Sequence, residues 1–285
     1  MAPMQHQKLV AISVGTHTWT PTDEKVDRII ELLRKHKITH LDTARVYVRV
    51  YFLHGPDETV PFGEQVEAIQ KLYLDGRFEK FGISNFNREQ TLEVYNYAKE
   101  RGYILPSVYQ AGYNLAARLN ETELFPTLRE LGFALQAYSP MAMGFLAKTP
   151  EYIEQGLGSW NPNEPTGQQL RGMFYRPEYL KLLEGFGRLS EESGVTRVGL
   201  GYRWVRYHSA LRGDLGDEMI IGVASAEQVE ESLEVLHQGP LEDWIVKRID
   251  VLSDIVKGIA KLDHVDTARK VYAGDAWGSV DGARG

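Results

Sequence analysis

Two short segments of the sequence carry side chains that could exchange protons with a substrate. The first covers residues 41–47 and contains Asp42 and Tyr47, and the second begins at Leu53 and contains His54. Aspartate, tyrosine and histidine are residue types that enzymes use as general acids and bases. Each segment looks like the end of a short apolar strand that carries a catalytic group, so the elements around both segments must position these side chains.

Short apolar runs alternate with amphipathic helical patterns along the chain, which is typical of parallel βαβ units. Polar side chains follow many of the predicted strands, and this distribution favours a (β/α)8 barrel over an open doubly wound sheet. The Pro- and Gly-rich residues 140–177 are predicted to form a functional or mobile loop. The seven predicted strands cover residues 9–14, 38–41, 51–53, 81–84, 108–110, 135–138 and 219–223.

Composition excludes several classes of protein. The 285 residues are 43% hydrophobic and carry a formal net charge of −7 without a basic block, which argues against nucleic acid as a partner. The absence of cysteine excludes disulfides and thiolate metal sites, and no other metal-ligand spacing occurs. Without a signal-type segment or a membrane-length apolar run, we expect a cytoplasmic protein with no membrane partner. No boundary in composition divides the chain, so one domain over residues 1–271 and a loose tail over residues 272–285 are predicted.

The spacing between the two chemical segments is too short for a complete strand-helix-strand unit. Parallel strands need a crossover of about a dozen residues, but only Val48 and Arg49 precede the next apolar run. Two residues span at most about 7 Å, whereas the return along a five-residue strand is about 17 Å. We therefore expect that strands ending at Asp42 and His54 cannot both lie parallel in one barrel. Either residues 48–53 form a loop or an antiparallel return, or one strand leaves the barrel.

Many segments, taken in order, resemble the aldo-keto reductases, and most of all the branch that reduces aflatoxin dialdehyde and succinic semialdehyde. They extend from about residue 8 to residue 260, with spacings that fit except between residues 47 and 54. The resemblance implies an incomplete α/β barrel of the (β/α)8 type with about seven strands. Roughly fifty residues, a helix, a strand and a second helix, are absent at that place. The matching segments are residues 41–47, 53–57, 76–78, 81–86, 103–110, 121–126, 137–140 and 220–222, followed by Ser225, Glu227, Gln228 and Leu233.

The resemblance implies hydride transfer from NADPH to an aldehyde or ketone, with a tyrosine hydroxyl donating a proton to the developing alkoxide. Tyr47 matches that tyrosine, Asp42 matches an aspartate of the site, and His54 matches a histidine that orients the carbonyl. Free tyrosine has a pKa near 10, so an efficient acid at neutral pH needs a positive charge nearby. In the family a lysine supplies this charge, and it lies on the strand that is absent here. Arg45 or Arg49 could replace it, a hypothesis that rests only on their position in the sequence.

The resemblance also implies an NADP(H) site. Ser84, Asn85 and Gln110 would hold the nicotinamide carboxamide, because amide and hydroxyl side chains suit its acceptor and donors, and Tyr138 would stack on the nicotinamide ring. Simpler roles stay open, since Ser84-Asn85 could cap the next helix, Tyr138 could be a core aromatic and Ser225 a plain helix cap. The pyrophosphate and the adenosine phosphate would lie against Ser139, Met141, Gly144, Gly222, Ser225 and Gln228.

Two functions of different classes follow from these observations. The first is an NADPH-dependent reductase of small carbonyl compounds, which the retained Asp42, Tyr47 and His54 favour. The second is a non-catalytic nucleotide-binding or regulatory protein on the same scaffold, which the missing lysine favours. A third possibility is an incomplete gene product that folds poorly, because the loss of two helices and a strand from a closed barrel exposes sheet edges, which favour association into a homo-oligomer.

Overall fold

All seven strands in the described part of the chain run parallel within one sheet. The computed structural model describes residues 8–15, 24–38, 40–42, 48–222 and 225–261. The strands are β1 (Ala11–Gly15), β2 (His40–Asp42), β3 (Val48–Leu53), β4 (Phe78–Ser84), β5 (Pro106–Gly112), β6 (Ala134–Tyr138) and β7 (Glu218–Gly222). The α-helices in these ranges are α1 (Glu24–Lys35), α2 (Phe62–Leu74), α3 (Arg88–Glu100), α4 (Asn120–Glu123), α5 (Phe125–Glu130), α6 (Pro150–Glu154), α7 (Pro165–Phe174), α8 (Pro177–Ser193), α9 (Arg197–His208), α10 (Ala226–His237) and α11 (Asp243–Asp254).

The order of the strands across the sheet is β2-β1-β7-β6-β5-β4-β3. From β3 to β6, neighbouring strands are also consecutive in the sequence, with helices between them, as in a series of βαβ units. β7 pairs with β6 on one side and with β1 on the other, so it connects this series to the N-terminal strands. The predicted α/β fold, an incomplete (β/α)8 barrel, is thus confirmed, and its opening lies between β2 and β3.

The prediction that β2 and β3 could not both be parallel strands of one barrel is wrong. β3 pairs in parallel with β4 along Val48–Leu53, and β2 pairs in parallel with β1, so they form opposite edges of one sheet. The prediction failed because it placed the two strands side by side and started the second one after Arg49. In the structure β2 has only three residues and β3 already begins at Val48. The six peptide units from Asp42 to Val48 span at most about 22 Å, so the two edges must approach each other, as they do in a barrel.

Residues 140–177, which we predicted to be a functional or mobile loop, contain the regular helices α6 and α7. Pro150 and Pro165 lie in the first turns of these helices, where proline is well tolerated, so here proline marks the start of a helix. Phe145, Trp160 and Phe174 of this segment join the apolar core, and the rings of Phe145 and Phe174 stack with their centroids 4.9 Å apart. The loop interpretation of this segment is therefore wrong.

Side-chain caps fix where several helices begin. Asn87 accepts a hydrogen bond from the Gln90 amide (2.9 Å), and the Gln90 side chain accepts one from the Asn87 amide (3.0 Å), which forms a capping box on α3. Thr196 and Ser225 cap α9 and α10 by accepting from the amide three residues later. None of the described helices is both long enough and apolar enough to cross a membrane. The predicted tail, residues 272–285, lies outside the described residues.

A buried ion pair holds the start of β7. Asp217 is completely buried and receives a forked pair of hydrogen bonds from the Arg129 guanidinium on α5. Its carboxylate also accepts from the backbone amides of Leu135 in β6 (2.8 Å) and of Arg212 (2.6 Å). Because every partner is a donor, the buried charge is compensated on all sides. The pair therefore connects α5, β6 and the turn before β7.

We expect His208 to make the stability of the fold depend on pH. Burial, and then the charge of Arg203, lower its pKa below the ordinary histidine value, despite the opposing charges of Asp243 and Asp250. The Leu241 amide donates to His208 Nε2 (2.8 Å), so that nitrogen must be unprotonated in the folded state. The unfolded chain therefore binds the proton first, so the contribution of His208 to stability is present above about pH 6.5 and lost as the pH falls through the lowered pKa.

Thermal melting between pH 7.5 and pH 5 would measure this effect. His208→Gln keeps an acceptor for the Leu241 amide but does not titrate, so its melting temperature is expected to fall less steeply with acidification. Equal slopes for the variant and the natural chain would contradict the assignment.

Candidate active site

Asn85 joins the carboxyl ends of three strands. It follows β4 in the left-handed backbone region (φ 63°), which asparagine tolerates better than most residues, and it is only 8% exposed. Its side-chain amide donates to the backbone carbonyl of His54 after β3 (2.8 Å) and to Ser84 Oγ (3.0 Å). Its carbonyl oxygen accepts from the Tyr138 hydroxyl at the end of β6 (2.9 Å). The structure therefore brings Ser84, Asn85 and Tyr138 together, with the backbone of His54 beside them, and we call these three side chains the Asn85 cluster.

The structure distinguishes among the simpler roles predicted for Ser84-Asn85, Tyr138 and Ser225. Asn87 caps α3, so the interpretation of Ser84-Asn85 as the cap of that helix is wrong. Tyr138 is only half-buried and its hydroxyl is hydrogen-bonded, so it is not a plain core aromatic. Ser225 does cap α10, with its side chain accepting from the Gln228 amide (3.3 Å).

Gln110 belongs to a row of polar side chains that crosses the sheet. In the strand register it lies beside Ser84 on one side and Gln136 on the other, and Gln136 lies beside Glu218. Gln110 Nε2 donates to Gln136 Oε1 (3.1 Å), and Gln136 Nε2 donates to Glu218 Oε2 (3.0 Å). Ser13 Oγ on β1 donates to the same carboxylate oxygen (2.8 Å). We call Ser13, Glu218, Gln136 and Gln110 the polar row.

Sequence reasoning identified Gln110 but missed the other three members of the polar row. A signal was present, because Gln136 is a polar residue in the middle of a short apolar strand, and such a residue usually has a partner. The partner itself could not be identified, since Gln136 and Glu218 are 82 residues apart in the sequence. Only the parallel register of β6 and β7 brings them together.

The chain after β6 makes a tight turn that contains four residues of positive φ. The Ser139 carbonyl accepts from Asn114 Nδ2 (2.9 Å), which holds the start of the turn against the end of β5. Met141 is buried and its sulfur packs closely against Gly201 of α9. A Cβ atom added to Gly144 would contact nothing within 4 Å, so the backbone here faces open space. The four residues are Ser139 (52°), Ala142 (50°), Met143 (55°) and Gly144 (87°).

The end of β7 and the start of α10 form a second open surface. Gly222 is exposed, and a Cβ atom added there would also contact none of the described residues within 4 Å. Gln228 lies exposed in the first turn of α10. Because α10 has twelve residues, its N-terminus offers backbone amides and the positive end of a helix dipole. Such an end can bind an anion.

The three predicted catalytic residues are described to different extents. Asp42 ends β2, but its side chain is outside the described part of the structure, as is the whole of Tyr47. His54 follows β3, and its side chain is exposed. The structure therefore places the backbone of His54 at the Asn85 cluster and leaves the roles of all three side chains as predictions.

The two arginines considered as replacements for the family lysine are also described to different extents. Arg49 lies on β3 with 59% of its side chain exposed, and its Nε is 3.8 Å from Glu79 Oε2. Because this guanidinium is largely exposed and paired, water and Glu79 screen its charge. Arg45 lies outside the described residues. No group of three or more histidine, aspartate or glutamate side chains that could hold a metal ion occurs in the described ranges.

Comparisons with known proteins identify relatives of this chain. The chain is 40% identical over 210 residues to Oxidoreductase sirO of Leptosphaeria maculans, which covers 74% of this chain and 64% of that protein. It is 30% identical over 259 residues to Aflatoxin B1 aldehyde reductase member 2 of Rattus norvegicus, with 87% and 68% covered. Its identity to the Homo sapiens protein of that name is 36% over 210 residues, with 70% and 57% covered.

These alignments cover between 57% and 68% of the relatives, so the chain spans about two thirds of their length or less. A model of the Aldo/keto reductase family matches residues 47–254, which is most of the chain. The matched range contains the Asn85 cluster and all of the polar row except Ser13. The resemblance seen in the sequence is thus confirmed, and the chain belongs to the aldo/keto reductase family.

Proposed function

We propose that this protein reduces small aldehydes or ketones to alcohols with NADPH as the hydride donor. The observation that carries the proposal is the convergence of Ser84, Asn85 and Tyr138 at the carboxyl ends of the strands, with Gln110 in register beside Ser84. In barrels of this type, the catalytic face lies at those ends. The relatives named as oxidoreductases and aldehyde reductases support the same reaction class.

The residues present fit a nicotinamide dinucleotide. Hydroxyl and amide groups of Ser84, Asn85 and Gln110 suit the one acceptor and two donors of the carboxamide, and the half-buried Tyr138 offers a ring for stacking. The open backbone at Gly144, like that of Gly222, leaves room for phosphate groups close to main-chain amides. With Gly222, residues Ser139, Met141, Ser225 and Gln228 complete the proposed contacts. When bound, NADPH would supply the hydride.

The remaining chemistry belongs to the protein. Tyr47 would donate the proton that neutralises the alkoxide, and Asp42 would stand close to it. His54 would orient the carbonyl oxygen of the substrate by a hydrogen bond. We propose a small carbonyl compound as the substrate. We also propose that the protein acts in the cytoplasm.

One observation favours the second candidate, a nucleotide-binding or regulatory protein without turnover. Val48, which follows Tyr47 in the sequence, begins β3, whereas His54 comes directly after its end. The Cα atoms at the two ends of a six-residue strand are about 17 Å apart. Groups placed before and after such a strand would have difficulty reaching one carbonyl, so binding could persist without catalysis.

A titration with NADPH, followed by fluorescence, would test both candidates when an aldehyde panel is assayed on the same sample. We expect saturable binding, and we expect Asn85→Gly to weaken it by at least about tenfold. Glycine accepts the left-handed backbone, so this variant isolates the loss of three side-chain hydrogen bonds. Asn163→Gly, at an exposed loop position, is the matched control and should bind NADPH normally.

Each outcome of this titration has a distinct meaning. Binding with turnover supports the reductase, and binding without turnover selects the non-catalytic candidate. A folded protein that binds no NADPH would contradict both.

A further inference from the structure

The side-chain hydrogen bonds of the polar row all run in one direction, from Gln110 through Gln136 to Glu218. We propose that Glu218 is a positioning residue, whose ionised carboxylate fixes the orientation of the Gln110 amide so that the site presents a carbonyl oxygen to the carboxamide NH₂ of NADPH. This inference rests on the proposed NADPH site and adds a residue and a hydrogen-bond polarity to it.

The carboxylate of Glu218 dictates which atoms its neighbours turn towards it. An ionised carboxylate has acceptor sites only, so every neighbour in hydrogen-bond contact with it must donate. Glu218 Oε2 is 2.8 Å from Ser13 Oγ and 3.0 Å from Gln136 Nε2. The Ser13 hydroxyl can rotate to donate, but Gln136 has one way to do so, which is to turn its NH₂ group towards Glu218.

The orientation of the Gln136 amide in turn fixes that of the Gln110 amide. A glutamine whose NH₂ group is turned to one neighbour turns its carbonyl oxygen to the other side. Gln136 therefore presents Oε1 to Gln110, and Gln110 must donate its own NH₂ group to it, at 3.1 Å. Within the described part of the chain, the Gln110 carbonyl oxygen has no hydrogen-bond partner, so it is available as an acceptor beside Ser84.

A polar row without a charge at position 218 would have no fixed hydrogen-bond direction. If the last residue could both donate and accept, each amide in the row could be reversed without losing a hydrogen bond. Gln110 would then present either its oxygen or its NH₂ group to a ligand. With Glu218 ionised, the reversed row places a carbonyl oxygen against a carboxylate oxygen, which is repulsive. The charge at position 218 thus selects one of two otherwise equivalent networks.

The experiment compares two reduced cofactors, NADPH and its 3-acetylpyridine analogue, in which a methyl group replaces the carboxamide NH₂. For the natural chain we expect the analogue to have a Kd about tenfold higher, because the acceptor at Gln110 loses its donor. Glu218→Gln should bring the ratio of the two Kd values to within about threefold. The double variant Glu218→Gln with Gln136→Glu should restore it, since a carboxylate at position 136 again forces Gln110 to donate.

Two further variants keep the test independent of folding defects. Gln136→Leu interrupts the row and is expected to lower the ratio in the same way, should Glu218→Gln melt at a reduced temperature. Ser13→Ala removes a donor but keeps the carboxylate, so the ratio should stay near that of the natural chain. A simple structural role for Glu218 would weaken both cofactors equally and leave the ratio unchanged.

The outcomes separate this inference from the proposed function. Binding of both cofactors with a ratio that Glu218→Gln does not change, or that the double variant does not restore, overturns the role of Glu218 alone. If the folded natural chain binds neither cofactor, the proposed function fails and this inference fails with it.

Discussion

Replacing Asp217 with asparagine is expected to lower the free energy of unfolding by about 3–5 kcal/mol, which is the usual cost of removing one partner from a buried ion pair. The carboxylate is completely buried and accepts from the Arg129 guanidinium and from two backbone amides. An asparagine side chain would leave the guanidinium without a counter-charge. It would also turn an NH₂ group towards at least one donor. Urea denaturation followed by circular dichroism would measure the loss.

The chain offers a matched control for this substitution three residues earlier. Asp214 pairs with Arg212 at 2.6 Å, but both side chains are substantially exposed. Because water screens such a pair, Asp214→Asn should leave the urea midpoint nearly unchanged. Similar losses for the two variants would show that burial of Asp217 does not determine the effect.

Replacing Tyr47 with phenylalanine is expected to lower aldehyde turnover by about two to four orders of magnitude, the usual contribution of a general acid. This prediction rests on the proposed reductase function. The substitution removes only the hydroxyl group, so the Kd for NADPH should remain close to that of the natural chain. Single-turnover oxidation of bound NADPH by an aldehyde would separate the chemical step from binding.

Tyr51 provides the control for the phenylalanine substitution. It lies on β3, is 37% exposed and stacks on Phe78, and it takes no part in the hydrogen bonds of the Asn85 side chain. Tyr51→Phe keeps that stacking and should retain full turnover. If Tyr47→Phe also retains it, the proton comes from another group and the proposed mechanism is wrong.

The sequence was sufficient to predict most of the sheet because hydrophobic period and polar strand ends are local signals. The strand that ends at Ser84 and the helix that begins after Asn87 are examples. The apolar run of the strand is followed within three residues by the residue that caps the helix. The error at β2 and β3 arose from a quantity that is not local, namely which strands are neighbours. The reach of Val48 and Arg49 was judged for adjacent strands, whereas these strands form opposite edges and β3 already begins at Val48.

The candidate site was predictable to the extent that it follows the ends of single strands. Ser84, Asn85 and Tyr138 were expected at one face, and the structure brings their side chains into contact. The polar row depends instead on how β5, β6 and β7 are aligned, and one sequence without this register does not contain that information. For the same reason, Glu218 could not be distinguished from an ordinary charged residue at the start of a strand.

The strand order also has a consequence for how the chain acquires its structure during translation. β1 borders β2 and β7, and β7 begins only at residue 218. At about 5–20 residues per second, roughly 10–40 s separate the synthesis of β1 from that of β7. Strands β3 to β6 can assemble one after another as they leave the ribosome. In contrast, β1 has an unpaired edge until β7 has been synthesised. Nascent chains that stop before residue 218 are therefore expected to depend on chaperones and to aggregate without them.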